Sequence, residues 1–166
     1  MSRVVEELTK LGEPVLPARF GLVFTDGSAL QREVEAKATA LRGRLDRVRG
    51  CAEVGLRVVS EDEPHESAPL TGGDYLRARL REATERRRVA EALHDTLARH
   101  ARDSARLEHA GGRLLLDAAY LVPSERVEEF RQEVDELGRS HPELALVCTG
   151  PWPPYSFAAP EEGSPR

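Results

Sequence analysis

The chain has 166 residues, 40% hydrophobic and only 5% aromatic, with a formal net charge of −5. That length holds one domain or two small ones with a real core, and so few aromatics mean that aliphatic contacts between helices and sheets must hold it together. No stretch approaches the roughly 20 apolar residues needed to cross a bilayer, and the start, Met1-Ser2-Arg3-Val4-Val5-Glu6-Glu7, lacks the apolar stretch of a signal peptide, which points to the cytoplasm.

In chain order, Val4, Val5, Leu8 and Leu11 share one helical face over residues 3–11, ended by Gly12 and Pro14. Apolar residues then alternate at Leu16, Ala18, Phe20, Leu22 and Phe24, predicting a strand over 15–24 whose start Pro17 confines to an edge. Asp26-Gly27-Ser28 supplies a turn and a helix cap. From 29 to 49, Leu30, Val34, Ala38, Leu41, Leu45 and Val48 outline one narrow helical stripe that Gly50 stops. Val54, Leu56 and Val58 alternate with Glu53, Gly55 and Arg57 in a half-buried strand.

Residues 60–73, rich in acid, Pro and Gly, read as a linker. A long helix is predicted over 74–108, with a junction of two lengths near 87–89 where Arg87 interrupts the stripe; Gly111-Gly112 stops it. Leu114, Leu116, Ala118, Tyr120 and Val122 form an alternating strand. A helix from Pro123-Ser124 carries Glu125, Glu128 and Glu129 in its first turn, where the dipole favours negative charge, and turns Val127, Phe130, Val134 and Leu137 inward. A last strand spans 144–148, and residues 158–166 are expected to be a disordered tail.

The fold class is therefore α+β: a partial N-terminal unit over 1–59, a linker over 60–73, and a C-terminal unit over 74–157 with the long helix. Helices on one face of a sheet suit both units.

The search for chemistry returns little. The five histidines include no i,i+4 pair, and Cys51 and Cys148 form neither a disulfide framework nor a metal cluster. His94, near the apolar stripe, reads as a packed histidine. The glycine pairs lack the residues of a phosphate loop, and Ser156 has no nucleophile elbow. No catalytic residue, metal ligand or cofactor site is identified. Arginine is abundant, but it is interleaved with glutamate in a net acidic chain and without aromatics for stacking, which argues against nucleic acid.

One segment stands apart: Thr149-Gly150-Pro151-Trp152-Pro153-Pro154-Tyr155-Ser156-Phe157. Three prolines within four residues exclude helix or central strand and stiffen the peptide. Its aromatics either fold back to close a gap in their own domain or anchor a partner, as rigid aromatics do at hot spots. Arg19, opposite the apolar set of its strand, either meets a partner or pairs with an acid.

This segment resembles the C-terminal signature of the gas vesicle F/L family. Val15-Leu16-Pro17-Ala18-Arg19-Phe20-Gly21-Leu22-Val23-Phe24 resembles its LPxRFG strand, Glu53-Val54-Gly55-Leu56-Arg57-Val58 a second strand, Tyr75-Leu76 the opening of its long helix, and Ala119-Tyr120-Leu121-Val122 a later strand. The resemblance runs over about residues 3–157. It implies two modified ferredoxin-like units. The first would be incomplete, because family members carry further N-terminal strands; either coding sequence continues upstream of Met1 or this is a natural short form.

The resemblance also implies a non-enzymatic accessory protein that binds the hydrophobic shell-forming subunit, and other accessory proteins, during gas vesicle assembly in the cytoplasm or at the vesicle. The residues expected to bind the partner or close the domain are Arg19, Phe20, Pro151, Trp152, Pro153, Pro154, Tyr155 and Phe157. Two other classes stay open: a self-associating helical scaffold built on 74–108, and a small ferredoxin-like enzyme or ligand sensor. Self-association is also expected through residues 3–59, where a missing neighbour would leave apolar strand surface uncovered.

Overall fold

The alternation of Val54, Leu56 and Val58 produces the strand on which the architecture is centred. The computed structural model describes residues 5, 7, 8, 13–17, 23–60, 72–107 and 113–158. Four strands, β1 (Cys51–Ser60), β2 (Asp103–Arg106), β3 (Leu114–Pro123) and β4 (Leu144–Trp152), form one antiparallel sheet in the order β2-β3-β1-β4. The helices are α1 (Gly27–Ala36), α2 (Ala38–Val48), α3 (Gly72–Ala98) and α4 (Val127–Ser140), with a 3-10 turn at Ser124–Arg126 before the last. The class is α+β, as the alternating helix and strand patterns predict.

Period-two alternation gives the sheet two distinct faces. Val54, Leu56 and Val58 of β1 and Leu116, Ala118, Tyr120 and Val122 of β3 turn to one side, against Ala90, Leu93 and Leu97 of α3 and Phe130 and Val134 of α4. The Tyr120 and Phe130 rings are tilted with centroids 5.2 Å apart. Tyr120 also places its hydroxyl 3.0 Å from His94 Nδ1, so this buried phenol is partnered and His94 is a packed residue, as expected. Burial, with Arg106 nearby, lowers the His94 pKa.

The opposite face holds a second, smaller cluster: Val48, Cys51, Ala119, Leu121 and Phe157, with Leu16 and Ala105 at its margin. β3 is thus covered on both sides from Leu116 to Val122, where its alternation alone predicted one buried face.

Local signals act where the sequence placed them. Asp26 Oδ1 accepts the Ala29 N–H at 2.7 Å and caps α1. Gly50 adopts φ +66, a left-handed stop that a side chain would strain. The predicted helix over 29–49 is interrupted by one non-helical residue, Lys37. Its stripe is covered at the Val48 end, while Leu30 and Val34 are exposed.

Several expectations are corrected. Residues 15–17 and 23–24 are not in a strand. Pro14 and Pro17 have no N–H to give a ladder, and Leu16 packs on the second sheet face instead; 18–22 lie outside the described residues. The linker expected over 60–73 is shorter within the described chain: Ser60 closes β1 and Gly72-Gly73 lie in the first turn of α3, while 61–71 are outside it. The predicted helix over 74–108 ends at Ala98 and runs unbroken through 87–89. Arg102 N–H then bonds Leu121 O at 2.8 Å, and residues 103–106 become edge strand β2. Nothing local signals this strand, since Ala and Arg favour helix; pairing with β3 decides it. β1, placed by sequence in a unit over 1–59, is hydrogen-bonded on both sides to strands of the 74–157 segment. Of the tail over 158–166, only Ala158 is described.

Phe130 is fully buried at the meeting of α4 with the sheet. We expect Phe130→Ala to lower unfolding free energy by about 3–5 kcal/mol through lost burial and a residual cavity, measured by urea denaturation of the full chain.

Candidate functional site

β4 is an edge strand, which is why it tolerates Pro151. Between Gly55↔Thr149 and Glu53↔Trp152 the pairing shifts, with one extra residue on the β4 side. Two glycines permit this. At Gly150, φ is +105 and an added Cβ would lie 2.7 Å from Glu53 O; at Gly55 an added Cβ would lie 2.7 Å from Thr149 Oγ1. The Gly150–Pro151 peptide is cis, and Arg131 of α4 donates to Gly150 O.

Beyond β4 the peptide turns back over the sheet face opposite α3 and α4. Tyr155 N–H donates to Pro153 O at 2.8 Å and Phe157 N–H to Pro154 O at 3.3 Å, closing a compact turn. Glu53 fastens it from β1: its carboxylate accepts the Ser156 N–H at 2.7 Å and the Ser156 hydroxyl at 2.8 Å. Arg44 of α2 donates to Ala158 O at 3.0 Å. Burial raises the Glu53 pKa above its ordinary value, and the two Ser156 hydrogen bonds act against that rise.

This geometry divides the residues singled out by sequence. Pro153, Pro154 and Phe157 are buried, and Phe157, 4% exposed, completes the second core. Trp152 and Tyr155 remain 40% and 39% exposed, and Pro151 is exposed beside them. Arg19 and Phe20 lie outside the described residues. The peptide therefore closes its own domain through one set of side chains and offers a second set outward.

Sequence reasoning missed the residues that fasten it: Glu53, Arg44 and Arg131. Each looked like an ordinary charge on a strand or helix surface, and its partner lies 103, 114 or 19 positions away. In the alternation of β1, Glu53 falls with Gly55 and Arg57 opposite the apolar set, so nothing local marks it.

Among the described residues, no group of three or more His, Cys, Asp and Glu could hold a metal ion. The groove between α3 and β2 is lined by Arg87, Glu91, Arg106 and Asp117, two charges of each sign among apolar neighbours. No described helix is long and apolar enough to cross a membrane.

With this geometry in hand, comparison with known proteins decides the family. The family model described as "Gas vesicle synthesis protein GvpL/GvpF" matches residues 2–159. The chain belongs to this family. It is 34% identical to gas vesicle protein L of Streptomyces sp. (strain CB03234), over 86% of this chain and 62% of that protein. It is 27% identical to gas vesicle protein F1 of Halobacterium salinarum, over 94% of this chain and 66% of that protein. The chain spans less than two thirds of the length of the curated relatives it matches.

The fold is shared with two crystal structures of family members. GvpF from Anabaena sp. PCC7120 superposes with a TM-score of 0.80 at 18% identity, over 96% of this chain and 76% of that one. GvpF from Microcystis aeruginosa gives 0.73 at 21% identity, over 95% and 75%.

Two outcomes follow from the division of the peptide. Phe157→Ala should cost about 3–5 kcal/mol of stability as a buried aromatic deletion, whereas Trp152→Ala and Tyr155→Ala should each shift the urea midpoint far less. Glu53 gives a pH test. Its folded pKa is raised, so its contribution is fully present below the unfolded pKa and is lost as pH rises through the folded one. Wild type should therefore lose stability relative to Glu53→Gln as pH climbs from the ordinary carboxylate range into the raised folded range. A wild-type advantage that grows with pH would contradict the burial of this carboxyl.

Proposed function

We propose that this chain is a non-enzymatic gas vesicle accessory protein that binds the hydrophobic shell-forming subunit and assists vesicle assembly, in the cytoplasm or at the vesicle. Membership of the GvpL/GvpF family supports the vesicle part of this reading. The observation that carries the binding part is the pair of exposed aromatics, Trp152 and Tyr155, on a peptide fixed from beneath by Pro153, Pro154 and Phe157. A rigid mount means little side-chain or backbone freedom is lost on docking, so aromatic contact area is converted to affinity with small entropic cost. A shell subunit exposes apolar surface until it polymerises and would aggregate unescorted.

Other accessory proteins of the vesicle are secondary partners in this proposal. The helical-scaffold reading keeps one supporting observation: Leu76 and Leu80, four apart on α3, are both exposed.

Co-expression should keep a shell subunit from the same genome soluble, and affinity capture of this chain should recover it. Binding through apolar contact should persist at salt concentrations that screen exposed charge pairs beyond about 10 Å. Trp152→Ala combined with Tyr155→Ala should abolish capture while the melting curve by circular dichroism stays native. Undiminished capture by that double variant would move the contact elsewhere. Failure of the folded wild type to capture any such subunit, with self-association that Leu76→Ala combined with Leu80→Ala removes, would favour the scaffold.

A further inference from the structure

The sheet has two edges of opposite character. β2 forms one, four residues with Asp103 and Arg106 at its ends. Short, charged edges are how soluble sheets refuse further strands. β4 forms the other, nine residues long and, among the described residues, paired only with β1. It carries no charged residue at all, and Leu144-Ala145-Leu146-Val147-Cys148-Thr149 contains neither proline nor glycine. Leu144, Leu146 and Cys148 pack toward the α3/α4 core. Ala145, Val147 and Thr149 take the other face by alternation, and Val147 is 49% exposed. The bordering helix α4 is acidic overall, but the two of its charges that act on Cys148 of the strand, Arg131 and Asp135, are opposite in sign.

We propose that β4 pairs antiparallel with β4 of a second copy of this chain, joining two four-stranded sheets across a two-fold axis. A two-fold contact must be self-complementary, each residue i facing j while j faces i. The stretch 143–149, bounded by Pro142 on one side and Gly150-Pro151 on the other, has Leu146 at its middle. With the axis there, Leu146 faces itself, Leu144 faces Cys148 and Ala145 faces Val147. Every pair falls on one sheet face, so the core side continues apolar across the junction. Glu143 meets Thr149, and no like charges oppose each other, which cross-strand pairing penalises. A charged strand added here would lay its charges over apolar neighbours; the neutral, alternating strand that this edge fits is the one β4 itself supplies. Trp152 and Tyr155 fall outside the paired stretch, so this interface is independent of the proposed shell-subunit contact.

Sedimentation equilibrium of the full chain over a range of concentrations tests the proposal. Wild type should approach twice the monomer mass. Val147→Glu and Val147→Lys, at a half-exposed position, should each stay monomeric, because the two substituted side chains lie diagonally across the axis. An equimolar mixture of the two should recover the dimer. A wild type that stays monomeric throughout would overturn the proposal, and so would charged variants that still dimerise. If the variants do not fold, hydrogen exchange of wild type decides: protection across 143–149 should rise with concentration, and protection independent of concentration would refute pairing at this edge.

Discussion

β1 is the strand on which the rest of the molecule depends. It lies between β3 and β4, so its backbone groups are engaged on both sides by strands that follow it in sequence by some 50 to 100 positions. Its even-numbered residues, Val54, Leu56 and Val58, form the floor on which α3 and α4 pack. Its odd-numbered residues do different work: Cys51 joins the second core, Glu53 fastens the C-terminal peptide, Gly55 makes room for Thr149, and Arg57 meets Asp117 of β3 at 3.1 Å. The last pair joins an exposed Arg57 side chain to a buried carboxylate, so its value lies in satisfying Asp117 more than in net attraction.

How much of this was legible in the sequence depends on which force decides each element. β1, β3 and α4 announce themselves because burial on one face imposes a period on the residues, and Val54-Leu56-Val58 or Phe130-Val134 carry that period plainly. β2 does not, because Asp103-Ser104-Ala105-Arg106 has no β-forming composition and exists through pairing with β3. The end of α3 at Ala98 was hidden for the same reason: no glycine or proline stands between it and Gly111. The stripe of Leu30 and Val34 shows the converse, a clear helical period on residues that the described structure leaves exposed.

For the candidate site, the unusual chemistry of residues 149–157 was visible at once, and so was the choice between closing the domain and meeting a partner. What the sequence could not divide was the labour among its side chains. Proline and a tight turn break the alternation from which inward and outward positions are normally read, so the burial of Phe157 and the exposure of Trp152 and Tyr155 follow only from the path of the backbone. The anchors on that path, Glu53 to Ser156 and Arg44 to Ala158, join residues more than 100 positions apart. They hold the peptide to the same strand that organises the core, and that is why a terminal segment can be a rigid mount.

The integration of β1 into the sheet is the claim on which this account rests, and native-state hydrogen exchange tests it most directly. Amides of 53–58 and 116–122 should be among the slowest in the chain and should open together with the free energy of global unfolding. Exchange across 53–58 that is fast, or that opens separately from 116–122, would contradict the account and return β1 to an independent N-terminal unit.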